Sequence, residues 1–178
     1  MILDVFRKGL YLVGGTLAVL AAVASIGWLF LAYEGDPGAG GNPAALYAVY
    51  FLASAIAVVV HELGHLVACL AVGTEVRAFR LGGKRAAIRF RVRTVEVTLG
   101  WPYKGMVEHG GAPSVRRLAV ITLAGALADL ALAAIVLAGS ATLASGQIER
   151  PLVIAAALGP GVQGLTALLP GARRPSCA

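Results

Sequence analysis

The sequence predicts an all-α polytopic membrane protein of about four transmembrane helices, with a small membrane-associated antiparallel β-sheet inserted between the second and the third. Three observations carry this expectation. Of 178 residues, 58% are hydrophobic and 13% charged, with a mean hydropathy of +0.82, whereas soluble domains are roughly 25% charged. Four stretches, 9–33, 44–72, 115–144 and 151–169, are apolar over about the 20 residues that a helix needs to cross a hydrocarbon core. Between the second and third, over about 74–100, apolar and basic residues alternate with the two-residue period of a strand. The whole chain, 1–178, reads as a single membrane-embedded domain.

The first stretch follows Arg7 and Lys8, and Ala22, Val23 and Ala24 imitate a signal-peptide cleavage site. Its apolar run continues through Trp28, Leu29, Phe30 and Leu31, past the roughly 7–15 residues of a signal core, so an uncleaved anchor is expected. "EGDPGAGGNP", residues 34–43, is a turn between spans.

After the second span, "EVRAFRL" leads to Gly82 and Gly83, which suit a tight turn. Ile88, Phe90 and Val92 then alternate with Arg89, Arg91 and Arg93. Beyond Thr94 the phase flips, so that Val95, Val97 and Leu99 form the apolar set while Glu96 and Thr98 face away. A regular strand cannot change parity, so a turn or bulge belongs near 93–95, giving a sheet with one apolar and one basic face. Trp101 and Tyr103 suit the headgroup interface. Two readings of the loop stand open. It is a basic cytoplasmic loop held on anionic lipid headgroups, or a sheet dipping beside a site, with the edge strand Arg89, Phe90, Arg91 and Val92 offered to an extended peptide.

Charge sets the orientation. Ten of the 15 basic residues fall between Arg77 and Arg117, two precede the first span, and Arg173 and Arg174 follow the last. The positive-inside rule then places both termini and the middle loop in the cytoplasm. The net charge of +6 follows from topology, and no nucleic-acid partner is needed to explain it. Cys69, inside a span, and Cys177, in the tail, are poor partners for a disulfide.

The candidate site lies in the second span, in "VVVHELGHLVACL". Ionisable side chains at membrane depth are costly and usually functional. His61 and His65 are four apart and share one helical face, roughly 6 Å apart along the axis. Two imidazoles so placed can share a zinc ion, with Glu62 beside the first as general base on a metal-activated water. Cys69 continues the stripe, but at roughly 12 Å from His61 it is too far to join the same ion and is expected to pack. Asp129 is the other acid deep in a span. It lies 12 residues past Arg117, as His61 lies 12 before Gly73, so both sit roughly 18 Å deep. Matched depth points to a shared site, with Asp129 either a third ligand or a hydrogen-bond partner. Gly125, four residues earlier, lets a neighbouring helix approach. His109 reads as an exposed loop histidine.

With these residues placed, the chain resembles the site-2 protease family of intramembrane zinc metalloproteases over about residues 45–170. "HELGH" lies in a span, and "KGMVEHGG" is similar to the family's Gly-Gly-Tyr-Val turn. "AGALADLALA" resembles its "AGPxxN" span, and "GLTALLP" resembles the Asn-Leu-Leu-Pro before its Asp-Gly. The resemblance implies cleavage of a single-span membrane protein in or near its transmembrane segment, with Zn2+ held by His61 and His65 and water activated by Glu62. The composition points to an integral membrane protein, and its alanine and arginine richness to a bacterial plasma membrane. Two departures matter: Asp129 and Ala126 stand where the family has asparagine and proline, and "LLPGARRPSCA" lacks the family's ligating Asp-Gly. The third ligand is then an aspartate beyond Ala178, Asp129 itself or Cys177. A catalytically inactive relative that binds transmembrane segments or regulates a partner is the alternative expectation. A divalent-metal transporter would need a polar path, and in the fourth span only Gln163 is a clearly polar amide.

Overall fold

Among the described residues, three helices and four short strands follow one another as α1 (Pro43–Ala71), β1 (Val76–Leu81), β2 (Ile88–Val92), β3 (Val95–Leu99), β4 (Gly105–His109), α2 (Val115–Leu143) and α3 (Glu149–Leu168). The computed structural model describes residues 43–82, 88–143 and 149–168. The expected first span, 9–33, and the tail bearing Cys177 lie outside them.

Helix α1 opens on Pro43, whose fixed φ and missing N–H suit a first helical position. It closes on Gly73, in the left-handed region at φ 68°. There Thr74 N–H donates to the Cys69 carbonyl at 2.8 Å and Gly73 N–H to the Leu70 carbonyl at 3.2 Å, the paired bonds that satisfy the last carbonyls of a helix. Helix α2 starts after Ser114, whose carbonyl accepts from Leu118 N–H at 2.9 Å.

Residues 44–71 of α1 and 115–139 of α2 are long and apolar enough to cross a membrane, with only 22% and 28% of their most apolar windows buried. A soluble core helix would be mostly buried. Here Phe51, Leu52, Ile56, Leu63, Val67 and Leu70 of α1 and Leu123, Leu127 and Ile135 of α2 are exposed, as side chains facing lipid are. The described apolar part of α3, Val153–Leu168, is shorter than the about 20 residues of a span. Among the described residues, two helices therefore meet the criterion.

All three helices touch one another, and small residues set the spacing. A Cβ on Gly64 would stand 2.7 Å from the Ala124 carbonyl oxygen of α2, and one on Gly164 of α3 would stand 3.0 Å from that of Ala126. Such close backbone approach is how helices pack where lipid removes the hydrophobic drive.

The sheet has the order β2-β3-β1-β4. β2 and β3 form the expected hairpin, turning at Arg93 (φ 54°) and Thr94, where the sequence changes phase. Its register, Ile88 opposite Leu99, Phe90 opposite Val97 and Val92 opposite Val95, puts the six apolar side chains on one face. The sheet is mixed, however, and not purely antiparallel. β4 runs antiparallel to β1, but β1 and β3 are parallel, Ala78 opposite Glu96 through Leu81 opposite Leu99. The expected turn from β1 directly into a neighbouring β2 is thus replaced by a crossing past β3. Alternation states which residues share a face and leaves open which strand lies alongside.

The sheet lies lengthwise against the helices. Val76 packs with Ala68, Cys69 and Ile121, joined by Val95 and Val107, near the end of α1. At the other end of β1, Leu81 faces Gly105, and Gly105 abuts Glu62. Glu62 is nine residues before Ala71, so the sheet follows α1 inward for roughly 14 Å.

Candidate metal centre

The four-residue spacing places both imidazoles on the face of α1 that meets α2. His61 is buried, and its Nδ1 lies 2.6 Å from Oδ2 of the fully buried Asp129. One turn on, His65 Nδ1 lies 2.6 Å from the backbone carbonyl oxygen of Ile121. The helices run antiparallel, so α2 positions 121, 125 and 129, each a turn apart, march past 65 and 61.

A carbonyl oxygen can only accept, so His65 donates from Nδ1 and its Nε2 carries the lone pair. A carboxylate can likewise only accept, so Asp129 in that form would draw the proton of His61 to Nδ1. The two Nε2 atoms then point at one another, 3.0 Å apart. At that distance the two nitrogens share either a proton, as an N–H···N hydrogen bond, or a metal ion. Two imidazole nitrogens bound to one zinc at about 2.0–2.1 Å stand roughly 3.3 Å apart at a tetrahedral angle, so the pair fits zinc. The space agrees: a Cβ on Gly125 would stand 2.6 Å from Nε2 of both rings, and glycine alone leaves that space open.

Glu62, the next residue on α1, is also buried. Its side chain fills the place a Cβ would take on Gly105, with Cδ 2.6 Å and Oε1 2.8 Å from that position. At Gly105, β4 thus meets the glutamate with its backbone.

The structure brings His61, His65 and Asp129 together, and sets Glu62, next to His61 along α1, against Gly105. Asp129 takes the second of the two roles left open by the sequence, because it binds the Nδ1 end of His61, the far end of the ring from Nε2. Among the described residues no third His, Cys, Asp or Glu completes a metal-binding group. Cys69 is buried beside Ala68, Val76 and Ile121, in the packing role expected. His109 ends β4, half-buried, at the opposite end from Gly105. Arg89, Phe90, Arg91 and Val92 lie exposed on edge strand β2, three strands from β4 and so roughly 14 Å from the strand that touches Glu62. Sequence reasoning missed the Ile121 carbonyl, for which no residue-type signal exists, and the contact of Gly105 with Glu62.

The model of Peptidase family M50 matches residues 49–170, from the middle of α1 to just past α3. The chain belongs to this family, that of the site-2 proteases. A 68-residue stretch is also 38% identical to part of a protein of Chlamydia trachomatis serovar D named "Putative zinc metalloprotease". That match spans 35% of this chain and 11% of that protein's length. Members of family M50 are membrane proteins, and zinc is the metal that both the family and this relative's name imply. The facing imidazoles of this M50 chain are consistent with that metal.

Proposed function

We propose that the protein is an intramembrane zinc endopeptidase that cleaves a transmembrane or membrane-adjacent segment of a single-span membrane protein. The observation that carries the reading is the 3.0 Å approach of two Nε2 atoms whose Nδ1 partners are fixed, one residue from a buried glutamate, on a helix of membrane-spanning length. His61 and His65 would hold zinc. The chemistry that zinc supplies at such a site is polarisation of a peptide carbonyl and hydroxide formation near neutral pH. Glu62 takes the proton of the attacking water on its carboxylate and returns it to the leaving amine. Burial of His61, Glu62 and Asp129 keeps bulk water from the reacting groups.

A helical substrate has every backbone group bonded internally, so its peptide bond is reached only after local unwinding. The sheet's inward course beside α1 puts extended backbone at the depth of Glu62. In this reading β2, with Arg89, Phe90, Arg91 and Val92 on the far edge, holds a flanking part of the unwound segment. The same basic loop rests on anionic headgroups of a bacterial plasma membrane, with both termini cytoplasmic.

The test is reconstitution in vesicles with a single-span substrate. The wild type is expected to cleave it, and Glu62→Ala to be slower by about 10²–10⁴-fold. Equal cleavage by both rejects the mechanism.

One observation favours a second reading, a catalytically inactive relative that binds transmembrane segments or regulates a partner. Zinc sites of hydrolases use three protein ligands plus water, and the described residues supply two. About one tightly held zinc per chain together with cleavage excludes it.

A further inference from the structure

We propose that helix α2 presets the metal seat, with Asp129 a positioning residue that fixes the tautomer and orientation of His61 and Gly125 the residue that keeps the space between the rings open. The inference rests on the zinc reading above and deepens it. The simpler role for Asp129 is to pin helices together. Its bonding argues otherwise. Asp129 is fully buried, yet Oδ1 has no hydrogen-bond partner among the described residues, and Oδ2 is held by His61 Nδ1 at 2.6 Å. A buried polar atom left unpaired is costly, so a carboxylate kept for stability alone is poorly used here. What it does achieve is local: Oδ2 faces Nδ1 alone, an arrangement in which a carboxylate favours the proton of His61 on Nδ1 and leaves Nε2 with its lone pair.

Gly125 lies midway between the two acceptors on the same face, one turn from each. A methyl group there would meet His61 Nε2, His65 Cε1 and His65 Nε2, each at 2.6 Å. The pattern on α2 is therefore acceptor, gap, acceptor, facing two imidazoles a turn apart on α1. An ion that enters finds both rings already turned.

The experiment uses the full chain in detergent, with Zn2+ as the probe, and compares wild type, Asp129→Ala, Asp129→Asn and Gly125→Ala. Loss of an outer hydrogen bond to a metal-ligating histidine weakens affinity by about 10–100-fold. That loss is expected for Asp129→Ala, with recovery in Asp129→Asn, whose amide oxygen can still accept from Nδ1. Gly125→Ala should also lose zinc, although alanine favours the helix. In the metal-free protein, nitrogen NMR of the imidazoles should show His61 in the Nδ1–H form in wild type and Asp129→Asn, and a mixture in Asp129→Ala, with His65 unchanged. The melting temperature of metal-free Asp129→Ala should not fall. Zinc affinity unchanged in both Asp129→Ala and Gly125→Ala, or a lower melting temperature of Asp129→Ala with an unchanged His61 tautomer, overturns the proposal. A wild type that takes up no zinc defeats the enzyme reading instead, and the tautomer measurement then still decides the role of Asp129.

Discussion

Helix α2 and strand β4 reach neighbouring residues of α1 by different means. α2 meets the imidazoles with two oxygen atoms at 2.6 Å and one missing side chain. β4 meets Glu62 at Gly105, where the absence of a side chain leaves room for the glutamate. The first contact is directional and sets angles. The second sets the room in which the carboxylate sits. In the proposed reading, the half of the site that would hold the metal is set by the packing of two helices, whereas the half that would handle the proton depends on how the sheet lies along α1. Metal affinity and turnover should therefore respond to different substitutions.

The largest effect belongs to the helix side. His61→Ala and His65→Ala should each abolish both tight zinc binding and cleavage, as metal analysis of the purified protein and a peptide-release assay would show. Zinc retained by either variant would mean that the rings do not form the seat. The strand side comes next. Gly105→Ala places a methyl group where the Glu62 side chain lies, and misplacement of a reacting group by about 1 Å costs about 10²-fold in rate. A lower kcat with full zinc content is expected, and loss of zinc would break the distinction between the two halves. The smallest effect lies at the far edge of the sheet. Phe90→Ala, in the exposed strand β2, should raise KM by roughly 2–5-fold, the scale of one cross-strand pair, while kcat and zinc content hold. A fall in kcat would show that β2 acts on the site itself.

The same division governs what could be read from the sequence. His61, Glu62 and His65 declare themselves because ionisable groups are rare at membrane depth and a four-residue spacing fixes a helical face. Depth also paired Asp129 with His61, but it could not choose between the two ring nitrogens, since that depends on the rotation of α2 about its own axis. The Ile121 carbonyl left no trace, because every residue carries one. In the loop, the phase change after Thr94 located the β2–β3 turn, and the faces of both strands followed from alternation. The parallel pairing of β1 with β3 did not follow, nor did the docking of Gly105 on Glu62. Both depend on contacts between segments distant in sequence, which local periodicity does not encode.

The central claim is that two imidazoles on α1, turned face to face by α2, hold a zinc ion. X-ray absorption at the zinc edge, on the purified wild type and on the His61→Ala/His65→Ala double variant, tests it most directly. The account predicts about one zinc per chain with two imidazole nitrogens at about 2.0–2.1 Å in the wild type, and no bound zinc in the variant. A wild-type spectrum without imidazole scattering, or zinc retained by the double variant, would contradict it.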